Sequence, residues 1–393
     1  MSKILFYFPK LEPYKEFHYT PISALSVSSK LLAQGYEVKI FDQRVDDLDS
    51  LMGEVEMADQ IMISSFTGYQ LSQAYEFAKL VKESFSDKKI TMGGPHATAL
   101  PEQTLESPYI DDVFCGYAET GEYEMPWHLV DIEKYVNPAT ERAIYVSSYS
   151  CIGNCTFCQT TPRRKLVFLP LEKVNDDIDK LMSIHKFKEM VMFDASLFTK
   201  PERALFIAKL MKKHKLQWIC DGRADEICKM PADMLDEIMQ SGITQLTVGL
   251  ETGSEQIAIL MKKGCNHLEK YRKAAEIMSR YNVRLTSGVI FGCPDETPED
   301  IRQTIEYINK IKSINKGFKL STTFYKPLPR TQMSKMCERY GYKEPQTLEE
   351  WSKAGESTHY NYNTWNDVPW IMDIDKYRAI YEDFKQKNND LFV

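Results

Sequence analysis

The residues with the clearest chemistry in this chain are three cysteines that fall within eight residues. Cys151, Cys155 and Cys158 stand in the string CIGNCTFC, a C-x-x-x-C-x-x-C spacing. Thiolates are soft ligands that select zinc, copper(I) or iron–sulfur clusters. Gly153 and Asn154 allow a tight loop, so three thiolates can surround one metal group. The string therefore predicts a metal centre.

Three interpretations of the cysteine string differ in what the thiols bind. A structural zinc site needs a fourth Cys or His at short spacing, but the next candidates are His185 and Cys220. A four-iron cluster held by four cysteines is closed, whereas one held by three leaves an iron open to a substrate or cofactor. The third interpretation, three buried and inert cysteines, is disfavoured because the whole chain has only nine.

The cysteine string directly follows a predicted strand at residues 143–147. Five more strands are predicted at residues 190–193, 217–221, 245–249, 284–291 and 319–324, with helical segments such as 201–214, 232–241, 254–263 and 298–311 between them. Six strand–helix units are too few for a closed eight-stranded barrel. We therefore expect a partial barrel.

The first 120 residues show a similar alternation. Strands are predicted at residues 3–8, 37–41, 60–65, 89–92 and 112–115, with helices at 23–34 and 71–85. This pattern predicts an open parallel α/β sheet, which binds ligands at the carboxyl ends of its strands. The segment has no G-x-G-x-x-G after its first strand and no P-loop, so a dinucleotide is not favoured.

Composition limits the class of protein. Of 393 residues, 43% are hydrophobic and 27% charged, which excludes disordered and collagen-like chains. The net charge of −7 argues against nucleic acid as a partner. No apolar run reaches the roughly 20 residues of a membrane helix, and the first residues lack a signal-peptide pattern. The odd cysteine count without such a signal predicts reduced thiols and a cytoplasmic protein.

The cysteine string and five segments after it resemble the radical S-adenosylmethionine (SAM) superfamily. The segments are residues 191–198 (VMFDASLF), 218–225 (WICDGRAD), 249–255 (GLETGSE), 288–297 (GVIFGCPDET) and 325–331 (YKPLPRT). One departure is Arg330, where the family usually has glycine. The resemblance implies that Cys151, Cys155 and Cys158 hold a [4Fe-4S] cluster. Its open iron would bind SAM, which the reduced cluster would cleave to a deoxyadenosyl radical.

The same resemblance implies further cofactor contacts. Arg223 is expected to pair with the carboxylate of SAM and Glu251 to contact its ribose or amino group. Gly288 and Gly292 are expected to let the backbone approach the adenine, and Phe157 to be a further cofactor contact. The alternative for Arg223 and Glu251 is that they pair with each other.

The first domain resembles the cobalamin-binding domain that precedes the barrel in one branch of these enzymes. The resemblance implies cobalamin contacts at Asp42, Ser64, Ser65, Thr67, Gly93, Gly94, Gly116 and Glu119. The glycines could equally be ordinary turn residues. No Asp-x-His-x-x-Gly string is present, so either the cobalt has no lower protein ligand or the domain has lost the cofactor. His96 is expected to face solvent or cap a helix.

These patterns predict an α/β chain with three parts. A Rossmann-like cobalamin-binding domain occupies residues 1–125 and a linker residues 126–142. A partial (β/α)6 TIM-type barrel, the radical SAM core, occupies 143–331, and a small aromatic-rich C-terminal cap occupies 332–393. Aromatics of the cap (Tyr360, Tyr362, Trp365 and Trp370) would exclude water from the site or form plain core.

The leading functional hypothesis is a cobalamin-dependent radical SAM methyltransferase. It would methylate an unactivated carbon of a small-molecule or peptide-derived substrate and take electrons from an external donor such as flavodoxin or ferredoxin. The alternative is an enzyme of the same architecture that catalyses a rearrangement, cyclisation or oxidation. A non-catalytic iron–sulfur protein is a third hypothesis, which the intact GLETGSE and GVIFGCPDET strings argue against. We expect no nucleic-acid and no membrane partner.

Overall fold

A computed structural model describes residues 2–11, 18–118, 123–160, 166–357, 369–371 and 373–392. The chain divides into two compact units. Unit 1 comprises Met1–Ile144, Leu169–Phe187 and Glu344–Asn361, and unit 2 comprises Tyr145–Phe168, Lys188–Lys343 and Tyr362–Val393. Within the described ranges, no helix combines the length and the apolar content needed to cross a membrane.

Unit 1 is built on a five-stranded parallel sheet of order β2-β1-β3-β4-β5. The strands are β1 (Lys3–Phe8), β2 (Glu37–Asp42), β3 (Gln60–Ser64), β4 (Lys89–Gly93) and β5 (Asp112–Val113). The helices between them are α1 (Ile22–Ala33), α2 (Leu51–Met57), α3 (Tyr69–Ser84), α4 (Gly94–Ala99) and α5 (Pro101–Leu105). The strand order reverses between β1 and β3, a point at which sheets of this type bind ligands.

Two helices from later in the chain also belong to unit 1. In α6 (Leu171–Ile184), Asp177 accepts a hydrogen bond from the Met125 amide at 3.0 Å. In α14 (Leu348–Ser357), Leu348 and Trp351 are part of the apolar core of the unit-1 sheet. The units therefore differ from the predicted domain boundaries, because residues expected in the barrel and in the cap bury their apolar side chains in unit 1.

Unit 2 contains five strands of a six-stranded sheet of order β13-β12-β11-β10-β9-β6 and a short antiparallel pair, β7-β8. The sixth strand, β6, has its last residue, Tyr145, in unit 2 and its first three residues in unit 1. The strands are β6 (Arg142–Tyr145), β7 (Ser148–Tyr149), β8 (Val167–Phe168), β9 (Glu189–Met192), β10 (Gln217–Gly222), β11 (Ile243–Val248), β12 (Arg284–Phe291) and β13 (Lys319–Phe324). The helices are α7 (Pro201–Lys213), α8 (Ala224–Ile227), α9 (Ala232–Met239), α10 (Glu255–Leu260), α11 (His267–Met278), α12 (Pro298–Ile314), α13 (Gln332–Cys337) and α15 (Ile374–Lys387). The sequential order of the strands, ending in two edge strands, confirms the predicted partial barrel.

The two faces of this sheet differ in burial. Because the strands follow one another in order and crossovers are right-handed, the connecting helices cover one face. Side chains on that face, such as Trp218, Cys220 and Leu246, are fully buried. The residues that alternate with them form what we call the open face: Val191, Phe193, Ile219, Asp221, Gln245, Thr247, Thr286, Gly288, Ile290, Ser321 and Thr323.

Candidate active site

The cysteine loop is anchored at its middle residue, Thr156. Its amide donates to the carbonyl of Met261 at 3.1 Å and its hydroxyl donates to the carbonyl of Leu260 at 2.9 Å. Its own carbonyl accepts the amide of Met333 at 2.9 Å. The loop is thereby fixed to the end of α10 and the start of α13, while the cysteines on either side stay half-buried.

The backbone of the loop turns its amides toward the thiols. Cys151 Sγ accepts the amide of Gly153 at 3.3 Å, and Cys158 Sγ accepts that of Thr160 at 3.4 Å. A Cβ atom at Gly153 would lie 3.4 Å from Cys151 Sγ and 3.7 Å from Cys155 Sγ. The loop thus turns polar backbone groups toward two of its own sulfur atoms.

The donor set fits a cluster better than a single ion. Burial raises the pKa of the Cys155 thiol, and the positive charges of Lys263 and Arg223 oppose that rise. In the described part of the chain, no three Cys, His, Asp or Glu side chains are grouped around one ion. A cubane cluster takes each thiolate on a different iron, so three separate thiols on one loop fit it, whereas a mononuclear zinc site needs four convergent ligands.

Arg223 lies directly after β10 and reaches the cysteine loop. Its Nη1 atom lies 2.8 Å from the position that a Cβ atom would take at Gly153. Its Nε atom donates to Asp225 Oδ1 at 3.0 Å. Glu251 forms a separate ion pair with Lys263, so the alternative that Arg223 and Glu251 pair with each other is wrong.

Glu251 has a backbone conformation that a side chain disfavours. Its φ angle is +65°, and it is held there by hydrogen bonds of 2.9 Å from its amide to Gly288 and from the Ile290 amide to its carbonyl. Its carboxylate accepts from Lys263 Nζ at 3.2 Å and occupies the space of a side chain at Gly249. Strain of this kind persists where the surrounding structure enforces it, often at functional sites.

Gly288 and Phe157 lie with these residues. A Cβ atom at Gly288 would lie 3.8 Å from Glu251 Oε2, so the open face is bare of side chains at that point. Phe157 is half-buried within the cysteine loop itself. The structure thus brings the cysteines, Arg223, Glu251 and Gly288 to one end of the unit-2 sheet.

Gly292 has a different environment. Its φ angle is +73°, its amide donates to Glu296 Oε2 at 2.6 Å and to Tyr377 Oη at 2.9 Å, and its carbonyl accepts Trp370 Nε1 at 2.8 Å. A Cβ atom there would lie 3.1 Å from Ile371. Both polar backbone groups of Gly292 are therefore bonded to protein groups, and none of these partners belongs to the cysteine loop.

In unit 1, the predicted small residues lie at the carboxyl edge of the sheet. Gly94 has a φ angle of +91°, and a Cβ atom there would lie 2.7 Å from the Ser65 amide and 2.8 Å from Ser64 Oγ. The Ser65 amide donates to the Gly93 carbonyl at 3.2 Å. The turns after β3 and β4 thus pack directly on each other, and glycine at 94 is needed for that packing.

Thr67 and His96 form a buried pair behind this edge. Thr67 Oγ1 lies 3.0 Å from His96 Nδ1, and His96 is fully buried with its ring 5.7 Å from that of Trp351. Burial lowers the pKa of His96 to about 3, so the ring is neutral. The expectation that His96 faces solvent is wrong, because the core of unit 1 encloses it, and it is not available to a cobalt ion.

The other predicted cobalamin contacts differ in accessibility. Asp42 is fully buried, pairs with Arg44 at 2.6 Å and accepts from Tyr135 Oη at 2.9 Å. Gly116 has a φ angle of +90° and donates its amide to Thr98 Oγ1 at 3.0 Å, with no atom within 4 Å of a Cβ position. Glu119 lies outside the described residues, as do Tyr360, Tyr362 and Trp365 of the predicted cap.

Sequence reasoning missed two aromatic side chains at this edge. Phe66, just after β3, is 54% exposed and Phe114, just after β5, is 41% exposed. β3 and β5 flank β4, so both side chains lie at the carboxyl edge of the sheet, one on each side of β4. A phenylalanine at the end of a strand was the available signal. With the bare Gly116, these rings fit a large, partly apolar cofactor such as a corrin.

Comparison with known protein families identifies the family to which the chain belongs. The radical SAM superfamily matches residues 145–308, and the B12 binding domain matches residues 16–125. The chain is a radical SAM enzyme with a B12-binding domain. This family assignment confirms the resemblance stated from the sequence, and with it the cofactor set: a [4Fe-4S] cluster, SAM and cobalamin.

Individual relatives of this radical SAM enzyme are distant. It is 23% identical over 363 residues to the uncharacterized methyltransferase PH0819 of Pyrococcus horikoshii, covering 80% of this chain and 77% of the relative. It is 21% identical over 428 residues to cytidylyl-2-hydroxyethylphosphonate methyltransferase of Streptomyces wedmorensis, covering 83% and 79%. Its fold is similar to that of the radical SAM methyltransferase TsrM from Kitasatospora setae, solved with cobalamin and a [4Fe-4S] cluster. The TM-score is 0.73 at 12% identity, over 100% of this chain and 91% of that one.

Proposed function

We propose that this enzyme is a cobalamin-dependent methyltransferase that acts on an unactivated carbon of a small-molecule or peptide-derived substrate. The observation that carries the proposal is the convergence of the cysteine loop, Arg223 and Glu251 at one end of the unit-2 sheet, in a chain that also has a B12-binding domain. The two curated relatives named above are methyltransferases, which supports methyl transfer over a rearrangement, cyclisation or oxidation.

The residues of the cysteine loop and the bound cofactors would have different roles. Cys151, Cys155 and Cys158 would hold the cluster on a loop that Thr156 fixes. When bound, the cluster and SAM supply the radical that activates the substrate, and cobalamin supplies the methyl group. An external donor such as flavodoxin or ferredoxin would supply the electrons.

Two charged side chains would orient SAM. The Arg223 guanidinium would pair with its carboxylate, since Asp225 accepts from the Nε atom of that guanidinium. Glu251, held by its backbone bonds to β12, would accept from the amino group or the ribose. The bare position at Gly288 would let the adenine approach the strand closely, and Phe157 would shield the cluster from solvent.

In unit 1, the proposed cobalamin surface is the carboxyl edge marked by Phe66, Phe114 and Gly116. Ser64, Ser65, Thr67, Gly93 and Gly94 would support that edge through the turn packing described above. Since His96 is fully buried and its Nδ1 lies 3.0 Å from Thr67 Oγ1, we do not expect it to bind the cobalt.

The test is anaerobic reconstitution of the full chain with iron, sulfide and hydroxocobalamin, followed by incubation with SAM and a reductant. We expect both deoxyadenosine and S-adenosylhomocysteine. Cys155→Ala should lose iron and both products, whereas Cys265→Ala, at an exposed cysteine away from the loop, should match the wild type. Deoxyadenosine without S-adenosylhomocysteine would favour the non-methylating alternative. Equal iron and equal products in wild type and Cys155→Ala would refute the catalytic assignment.

A further inference from the structure

One carboxylate on the open face of unit 2, that of Asp221, forms no ion pair with any described residue. Nearby acidic groups differ in this respect, since Asp225 pairs with Arg223 and Glu251 pairs with Lys263. A half-buried carboxylate without a cation costs free energy that a positively charged ligand would recover.

Asp221 belongs to a row of side chains that crosses four strands. In the strand register, Asp221 is level with Thr247, and Thr247 is level with Thr286. Phe193 comes directly after Met192, which pairs with Cys220, so it is level with Asp221 on the other side. We call Phe193, Asp221, Thr247 and Thr286 the Asp221 row. Neighbouring strands are about 4.8 Å apart, so the row spans about 14 Å.

The Asp221 row combines an exposed aromatic ring with polar groups that a ligand could bind. Phe193 is 62% exposed, which is unusual for a phenylalanine beside a buried strand. Thr286 is only 4% exposed, yet its hydroxyl has no hydrogen-bond partner among the described residues. Thr247 donates to Asp221. An apolar ring, a carboxylate and an unpartnered buried hydroxyl therefore lie in one line.

The charges around Asp221 also favour a cationic ligand. Burial raises the pKa of Asp221 to about 6, the Thr247 hydrogen bond opposes this rise, and the nearby carboxylate of Asp194 adds to it. Asp194 itself is engaged by Ser147, whose hydroxyl donates to it at 2.9 Å. On β13, the residue level with Thr286 is Lys319. Its ammonium donates to the backbone carbonyl of Asp390. The nearest cation in register is thus occupied elsewhere.

The Asp221 row lies next to the residues proposed for SAM. Arg223 follows Asp221 by two residues, and Gly288 follows Thr286 by two. Two residues along a strand correspond to about 6.6 Å. A molecule on the row would therefore be a direct neighbour of the group that generates the radical, as a substrate must be.

We propose that the Asp221 row binds the substrate, and that the substrate carries a protonated nitrogen that pairs with Asp221 and a flat apolar group that stacks on Phe193. This inference rests on the proposed function, because it names the substrate class of the same site. The hydroxyl of Thr286, two strands from Asp221 on the side away from Phe193, would bond a polar atom at the other end of the substrate.

The experiment measures binding of three matched probes to the reconstituted holoenzyme by ligand-observed NMR under anaerobic conditions. The probes are 3-phenylpropan-1-amine (cationic), 3-phenylpropan-1-ol (neutral) and 3-phenylpropanoate (anionic). We expect the amine to bind about tenfold more tightly than the other two, since a charged hydrogen bond in a desolvated site has that magnitude. Asp221→Asn should remove this preference. Phe193→Ala should weaken all three probes several-fold.

The control is Asp233→Asn, at an exposed carboxylate in the first turn of α9, which should leave all three affinities unchanged. Iron content and the visible spectrum report whether each variant is folded. If Asp221→Asn loses iron, Phe193→Ala decides, because its side chain is exposed. Equal binding of amine and acid by the wild type, full amine binding by Asp221→Asn, or probe binding unaffected by Phe193→Ala would each overturn the inference. Failure of the proposed function would appear separately, as a wild type that forms no S-adenosylhomocysteine.

Discussion

Glu296 offers a test of the energetics of unit 2 that does not depend on the cofactors. Its side chain is 1% exposed, and Oε2 accepts three hydrogen bonds, from the amides of Gly292 at 2.6 Å and Cys293 at 2.9 Å and from Tyr377 Oη at 2.8 Å. Burial nevertheless raises the pKa of Glu296 to about 7, because the three donors offset only part of the cost of burying the charge. The carboxyl group thus joins the loop after β12 to α15.

The sign of the pH effect follows from the direction of this shift. Between the unfolded pKa of 4.5 and the folded pKa of about 7, the folded chain binds a proton that the unfolded chain has released. The contribution of Glu296 is therefore fully present below about pH 4.5 and is lost as the pH rises to about 7. At 1.36 kcal/mol per pKa unit, the loss is about 3 kcal/mol.

Glu296→Gln keeps the shape of the side chain and one oxygen that accepts hydrogen bonds, but it removes the group that titrates. The free energy of unfolding is measured for both proteins by urea titration with circular dichroism. Between about pH 4.5 and about pH 8, we expect that of the wild type to fall by about 3 kcal/mol relative to that of the variant. Glu299→Gln, at an exposed carboxylate in the first turn of α12, is the matched control and should run parallel to the wild type. Parallel curves for wild type and Glu296→Gln would refute the reasoning.

Three further predictions concern the cofactor sites. Glu251→Gln should weaken SAM binding about tenfold in equilibrium dialysis, because it removes a charged acceptor and its ion pair with Lys263; unchanged affinity would contradict its role. Gly153→Ala should lower iron content, since its Cβ atom would lie 2.8 Å from Arg223 Nη1 and fill space beside the thiols of Cys151 and Cys155, whereas Gly53→Ala, with no described atom within 4 Å, should not. His96→Leu should leave the electron paramagnetic resonance spectrum of the cob(II)alamin form unchanged, because His96 is buried in the core of unit 1; a change in the nitrogen superhyperfine splitting would contradict this.

The strands that carry the site could be predicted from the sequence. The predicted bounds of β12 and β13 match the structure, and those of β10 and β11 differ by one or two residues. These strands combine buried apolar residues on one face with turn signals at their ends, a strong local pattern. The cysteine loop could be predicted equally well, because the spacing of its three cysteines is enough to indicate a metal centre.

The assignment of helices to units could not be predicted. The spacing of apolar residues in α6 and α14 shows that one face of each is buried, but not against which sheet. Trp351 illustrates the point: its ring packs in the core of unit 1, on the ring of His96, more than 250 residues earlier in the chain. Such a pairing is decided by the complementarity of two surfaces, and a single local pattern carries no information about the second surface.

The partners of the charged site residues could not be predicted from the sequence either. Arg223 and Glu251 were each recognisable as functional candidates, but their ion pairs, with Asp225 two residues later and with Lys263 after α10, depend on side-chain directions that the sequence does not specify. The same applies to Gly292. Its positive φ angle is typical of glycine, but the groups that bond to its backbone come from α15 and from the segment before it.

Arg330 shows how the tertiary structure imposes a backbone conformation that its own residue type disfavours. Its φ angle is +61°, a region that glycine, the usual residue of the family here, adopts at no steric cost. On one side, the Pro329 carbonyl lies 3.5 Å from Gln159 Nε2 of the cysteine loop; on the other, Thr331 caps α13, whose Met333 amide bonds to Thr156. Because both neighbours are fixed to the loop that would hold the cluster, the turn keeps its geometry when glycine is replaced. The strain at Arg330, like that at Glu251, is therefore a consequence of positioning the cofactor site, and local propensity fails at those residues for that reason.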